Sequence, residues 1–347
     1  MTHKACILSV SGPALTSEEA ALFAAEKPWG VILMGRSCQT RTQVSQLVED
    51  IWNAVGREIL IFIDQEGGRV ARLKAPEWPV FPAGNVYGEL YARDSEKALE
   101  AIWLGYRLIA HELAGMGIHA DCAPVCDLPQ PRAHDVIGDR AFGTDPESVG
   151  ALANVALKGL EDGGVAGVIK HIPGHGRSTA DSHLELPSVR ASELELASDF
   201  TAFRAVSAAP MAMTAHISYE AYDSGVAATV SKRIIQEVIR ERIGFDGLLM
   251  TDDLGMEALG GSLDDRAHAS IEAGCDMLLH CSGFLKDPEA ILAEMRKVAE
   301  AAPELENKAL ARADAAEAAS QRATPFDAEA GWAEFKAMIP SADLGSA

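Results

Sequence analysis

The chain has 347 residues, with 30 Lys+Arg against 51 Asp+Glu, a formal net charge of −21. Such acidity repels phosphate backbones and anionic lipid headgroups, which argues against a nucleic-acid or membrane-surface protein. A hydrophobic content of 48% supplies a large buried core and excludes a disordered chain.

In chain order, eight short and uniformly apolar runs read as strands: Cys6–Val10, Gly30–Met34, Leu60–Asp64, His119–Pro124, Val165–Lys170, Met211–His216, Leu248–Asp252 and Asp276–Cys281. They lack the in–out alternation of a half-exposed antiparallel strand, so they predict a parallel sheet buried on both faces. Segments of helical period lie between them: Ser17–Glu26, Thr40–Val55, Ser95–Gly117, Asp145–Gly163, Ser192–Ala208, Ser231–Ile243, Leu263–Gly274 and Asp287–Ala301. Several begin on a capping residue, and Asp145-Pro146 pairs an N-cap with Pro in the first helical position. Eight β-then-α units predict an α/β fold, a single-domain (β/α)8 TIM-type barrel over residues 1–302, with a C-terminal helix and tail over 303–347. An extra loop around Pro76-Glu77-Trp78-Pro79 precedes the long helix after the third strand.

The six cysteines form no CxxC pair and mostly sit in apolar runs, where Cys acts as a small core residue. The opening MTHKACILSVSG has no long apolar stretch before a cleavage site, and no run approaches the ~18–20 apolar residues of a membrane span. A cytoplasmic, monomeric protein without a cofactor is the expectation.

In such a barrel the reactive groups project from the carboxyl ends of the strands. Here those ends run into Asp64-Gln65-Glu66-Gly67-Gly68-Arg69-Val70-Ala71-Arg72, Lys170-His171, His216 and Asp252-Asp253. One ionisable strand end is an ordinary helix cap, but four on one rim point to a functional mouth. The densest segment, Lys170 to His183, holds three of the ten histidines and is broken by Pro173, Gly174 and Gly176, so it is a loop. A metal would enlist His171, His175, His183 and Asp252, but their spacing matches no standard ligand signature, and no metal is expected.

Within that loop Asp181 and His183 are two residues apart. A carboxylate folded back onto one ring nitrogen fixes the tautomer and leaves the other nitrogen free to exchange a proton with substrate. A plain loop hydrogen bond would look the same in sequence. Asp252 ends an apolar strand and could be a nucleophile, an electrostatic stabiliser or a helix cap, while Asp253 reads as a cap for the next segment. Trp78, Phe81 and Phe142 lie near the rim segments and are read as core.

The segments Ile63–Leu73 (IDQEGGRVARL), Ala123–Leu128 (APVCDL), Ile137–Pro146 (IGDRAFGTDP), Lys170–Pro187 (KHIPGHGRSTADSHLELP), Ile243–Met256 (IGFDGLLMTDDLGM) and Glu272–Leu279 (EAGCDMLL) together resemble bacterial β-N-acetylhexosaminidases of glycoside hydrolase family 3. The resemblance implies a (β/α)8 barrel and a retaining, two-step release of terminal, non-reducing β-linked N-acetylglucosamine. By motif position it implies Asp252 as nucleophile, His183 as acid/base and Asp181 as the residue that orients His183. It further implies that Asp64 binds sugar hydroxyls, with Arg72, Arg140, Lys170 and His171 completing the substrate contacts as a basic island in an acidic protein. A His–Asp pair then replaces the second carboxylate of the usual retaining glycosidase. Two-domain relatives that supply a carboxylic acid from a second domain fit poorly, because the chain ends soon after its eighth unit. The partner implied is a small carbohydrate, specifically a muropeptide-derived sugar in peptidoglycan recycling. A phosphorylase variant and a barrel that binds such fragments without turnover are the alternatives.

Overall fold

The computed structural model describes residues 3–131, 133–180, 182, 185–320 and 323–340. Eight parallel strands close into a barrel: β1 (Lys4–Leu8), β2 (Pro28–Leu33), β3 (Leu60–Ile63), β4 (Ala120–Asp121), β5 (Ala166–Ile172), β6 (Met211–Thr214), β7 (Leu248–Asp253) and β8 (Met277–Leu279). Each strand pairs with its neighbours in the sequence, and β1 pairs with β8 through Cys6↔Leu278 and Ile7↔Leu279. All eight stand on the apolar runs expected to form them.

The barrel interior is filled by Ile7, Ile32, Leu60, Phe62, Val168, Met211, Met213, Leu248, Met250, Met277 and Leu279, while the other strand face packs beneath the helices. Two faces buried by different layers explain the unbroken apolar strands. Trp78, Phe81 and Phe142 are indeed core residues, each at most 4% exposed.

The helices show how local sequence sets their ends. In α1 (Ser17–Glu26), Thr16 and Glu19 form a reciprocal capping box. Thr40 caps α2 (Arg41–Val55), which stops at Gly56 with φ 84°. The expected loop after β3 contains a further helix, α3 (Gly84–Tyr91), ahead of α4 (Ser95–Ala114). Next come α5 (Pro146–Asp162) and α6 (Glu193–Ala205). The segment expected from Ser231 is wound as a π-helix over Ile234–Ile243, with the Ser231 hydroxyl accepting from the Ile234 amide. The outer ring ends with α7 (Leu263–Ala273) and α8 (Pro288–Ala301).

Where one C-terminal helix was expected there are two, α9 (Asn307–Ala319) and α10 (Ala328–Met338). From α9, Arg312 bonds Asp276 and Asp246 at the amino-terminal end of the barrel. From α10, Trp332 and Phe335 stack on Phe81, at ring distances of 5.1 and 6.4 Å. Among the described residues no helix is long and apolar enough to cross a membrane.

Helices α4 and α5 pack closely: a Cβ on Gly159 would sit 2.5 Å from the Trp103 carbonyl oxygen and 3.0 Å from Tyr106 Cβ. An exposed helical Gly→Ala change normally adds about 1 kcal/mol of stability. Gly159→Ala should instead destabilise by about 1–3 kcal/mol through overpacking. Denaturant unfolding of the variant checks the sign.

Candidate active site

A cavity of about 330 Å³ opens at the carboxyl end of the barrel, lined by Asp64, Glu66, Arg72, Arg140, Lys170, His171, His175, Asp252 and Asp253 among others. Asp64 follows β3 directly. The chain then folds into a small hairpin, Gln65–Gly67 against Val70–Ala71. Gly67 and Gly68 turn it with φ of 96° and 56°, and a Cβ on Gly67 would meet the Pro82 carbonyl at 2.3 Å. The Gln65 side-chain oxygen accepts from the amides of Arg72 and Leu73, both at 3.0 Å, which returns Arg72 to Asp64.

The charged groups alternate along one chain of contacts. Arg72 donates to Asp64 Oδ2 at 2.8 Å, and Lys170 Nζ donates to Asp64 Oδ1 at 2.8 Å. The same ammonium lies 2.6 Å from Glu66 Oε1, and Arg140 grips both Glu66 oxygens at 2.8 and 2.9 Å. Arg72, Lys170 and Arg140 are therefore not free cations: Asp64 and Glu66 pair with them, and the basic island is a mixed cluster of three cations and two carboxylates. Burial alone would raise the Asp64 carboxyl, but Lys170 and Arg72 outweigh it and hold it well below the carboxylate range. Glu66 is likewise buried and is brought down to about 2 by Arg140 and Lys170. Lys170 is itself buried, yet the two carboxylates push its pKa up. All five groups stay ionised near neutral pH.

His171 follows Lys170 in β5, and its Nδ1 donates to Asp127 Oδ2 at 2.7 Å. The other oxygen, Asp127 Oδ1, accepts the backbone amides of His171 and His175, at 3.2 and 2.6 Å. Burial lowers the His175 pKa to about 4 and keeps that ring neutral, with Nε2 3.0 Å from the Ser182 hydroxyl. Asp181 and His183, the expected acid/base pair, lie outside the described residues. Of the three histidines considered as metal ligands, His171 is engaged with Asp127 and His175 with Ser182, and His183 lies outside the described residues. Among the described residues no group of three His, Cys, Asp or Glu side chains is placed to hold a metal ion.

At the end of β7, Asp252 is half-buried, lines the cavity and accepts the Asp253 amide on Oδ1 at 2.7 Å. Asp253 does more than cap the next segment. Its Oδ1 accepts the amides of Gly255 and Cys281, at 2.9 and 3.0 Å, and lies 3.3 Å from His280 Nδ1. The other ring nitrogen, His280 Nε2, faces Glu294 at 3.1 Å and the Ser282 hydroxyl at 2.9 Å. His216, expected on the reactive rim, is fully buried behind it. It bonds the Thr229 hydroxyl and the Asp253 carbonyl, and burial lowers its pKa. It supports β7 and does not line the cavity.

Sequence reasoning assigned no role to Glu66, Asp127 or His280. The first two lie inside the motifs quoted above, so motif membership was their signal. His280 had none, because its partners come from β7 and α8.

Residues 4–315 match the family model described as the glycosyl hydrolase family 3 N-terminal domain. The chain belongs to glycoside hydrolase family 3. It is 39% identical over 302 residues to a β-hexosaminidase from Alkalilimnicola ehrlichii, covering 86% of this chain and 85% of that protein. A β-hexosaminidase from Tolumonas auensis is 39% identical over 282 residues, covering 80% and 82%. Native NagZ from Neisseria gonorrhoeae superimposes with a TM-score of 0.83 at 31% identity, over 100% of this chain and 99% of that one. The same protein in complex with N-trifluoroacetyl-D-glucosamine gives 0.82, with 97% and 96% covered. This chain is thus a glycoside hydrolase on a (β/α)8 barrel.

The buried His280 carries a pH signature. Burial opposes its charge, but Asp253 and Glu294 outweigh burial and raise its pKa from 6.5 to about 9. A raised folded-state value stabilises fully below pH 6.5, and that contribution is lost as the pH rises through about 9. Unfolding free energy should fall across that window in the wild type, and His280→Gln should remove this part of the slope.

Proposed function

We propose that this chain is an exo-acting β-N-acetylhexosaminidase that releases terminal, non-reducing β-linked N-acetylglucosamine with retention of configuration. One observation carries the reading. Asp252, a half-buried carboxylate, lines the same cavity as the ion-paired Asp64–Lys170–Arg72 cluster, in a chain similar to β-hexosaminidases over most of its length.

Asp64, held ionised with its oxygens directed by Arg72 and Lys170, accepts hydrogen bonds from sugar hydroxyls. Lys170, Arg72 and Arg140 donate to others, and His171, fixed by Asp127, completes the set. Asp252 attacks the anomeric carbon while the glycosidic oxygen departs with a proton from His183, giving a covalent glycosyl-aspartate. His183 then takes a proton from water, which attacks the anomeric carbon and frees Asp252. Asp181 orients the imidazole and stabilises its charged form. An imidazole in this role puts no second negative charge beside the nucleophile, unlike the usual pair of carboxylates. In this reading residues 1–302 form the catalytic barrel and 303–347 its C-terminal extension. The enzyme acts as a cytoplasmic monomer on muropeptide-derived sugars in peptidoglycan recycling.

A fluorosugar analogue of N-acetylglucosamine should label Asp252, located by peptide mass; a label on any other residue overturns the assignment. Asp252→Ala should lower kcat by about 10⁴-fold or more without unfolding the protein. His183→Ala should slow glycosides with poor leaving groups by about 10²–10⁴-fold and activated aryl glycosides far less, because only the former need protonation. Equal losses on both classes would remove His183 from that role.

A further inference from the structure

Strand β4 ends at Asp121, a fully buried residue that does not line the cavity. Its backbone pairs with Ile63 in β3, and the Cys122 amide donates to the Ile63 carbonyl at 2.8 Å. Two residues further along, a side chain takes over from the ladder: Asp121 Oδ1 accepts the Gln65 amide at 2.9 Å. Its other oxygen, Oδ2, is buried with no hydrogen-bond partner among the described residues.

Gln65 carries that hold onward. It is 2% exposed and also stays clear of the cavity. Besides accepting the Arg72 and Leu73 amides, its side chain donates from Nε2 to the Leu73 carbonyl at 3.3 Å. A continuous path therefore runs from the Asp121 carboxyl through Gln65 to the Arg72 amide, and from the Arg72 guanidinium to Asp64. The path ends at cavity groups, although neither Asp121 nor Gln65 is one.

We propose, resting on the hexosaminidase reading above, that Asp121 is a positioning residue of the sugar subsite. Through Gln65 its carboxyl fixes how Arg72 meets Asp64, and so sets the affinity for N-acetylglucosamine.

The charge of that carboxyl is itself poised. An ionised carboxylate with one bare, buried oxygen is costly, so burial pushes Asp121 up to about 7. The Gln65 amide and Lys170 oppose the rise, while Asp64 and Glu66 add to it. The other ionisable groups around it, Tyr106 from α4 and Cys122 beside it in the chain, are held neutral by burial. Below about pH 7 Asp121 is a neutral neighbour of the three cations and two carboxylates. Above it, Asp121 is a third carboxylate competing with Asp64 and Glu66 for Lys170.

The test reads the constant with which N-acetylglucosamine inhibits hydrolysis of an aryl β-N-acetylglucosaminide. Simple loss of packing would lower the yield of active enzyme and leave that constant unchanged. Asp121→Ala removes the acceptor, leaves the Gln65 amide unsatisfied and should raise the constant about tenfold or more. Asp121→Asn keeps an acceptor and mimics the neutral carboxyl, so at about pH 5.5 it should retain the wild-type constant. Towards about pH 8.5 the wild-type constant should rise about threefold or more relative to that of Asp121→Asn, which cannot ionise. This second comparison decides even where Asp121→Ala does not fold. An unchanged constant in Asp121→Ala, or a wild-type to Asp121→Asn ratio that does not rise with pH, overturns the inference and leaves the hexosaminidase reading intact. A wild-type protein that neither hydrolyses the aryl glycoside nor binds N-acetylglucosamine would overturn both.

Discussion

A lysine ammonium buried at the mouth of the barrel sets the terms for everything around it. Lys170 is 2% exposed, and an unpaired charge at such a depth would be prohibitively costly. Two carboxylates, Asp64 and Glu66, offset that cost, and each then needs a second cation because one ammonium cannot satisfy four oxygens. Arg72 and Arg140 fill those places. The result is an alternating chain drawn from β3, its hairpin, the turn before α5 and β5, locked by mutual desolvation. A site of this kind is polar and fixed before a sugar arrives, so little reorganisation is needed on binding.

The same economy recurs one layer out. Asp127 gathers the ring and amide of His171 in β5 and the amide of His175 in the loop that leaves it, while Asp253 gathers two amides and the imidazole of His280. In each case a buried carboxylate ties a strand end to a neighbouring loop. Arg36 extends the pattern across the β1–β8 seam. Removing one partner from such a network leaves another buried and unsatisfied, so these groups act as units.

The barrel was readable because parallel strands buried on both faces leave apolar runs of characteristic length, and all eight appear where those runs stand. Boundaries moved by a few residues, as at β4, which shrinks to Ala120–Asp121. The π-helical winding of Ile234–Ile243, helix α3 and the second C-terminal helix left no comparable signature. Polar strand ends marked the mouth, yet the same rule drew in His216, which lies behind β7. A strand-end residue faces the mouth or the helix layer according to local bends, and sequence spacing does not report those.

The periodic part is legible in the chain directly: the fold class, the order of its units and which strand ends would meet. The sequence also marked Asp64, Arg72, Arg140, Lys170, His171 and Asp252 as cavity residues. How those charges are divided emerges only once the barrel has closed. Lys170 and Asp64 are 106 positions apart, and Arg140 lies 74 from Glu66. Apolar periodicity is written locally, one turn or one strand at a time. Charge pairing is fixed by barrel closure, which brings distant strand ends within hydrogen-bonding reach and turns an apparent basic island into a balanced cluster.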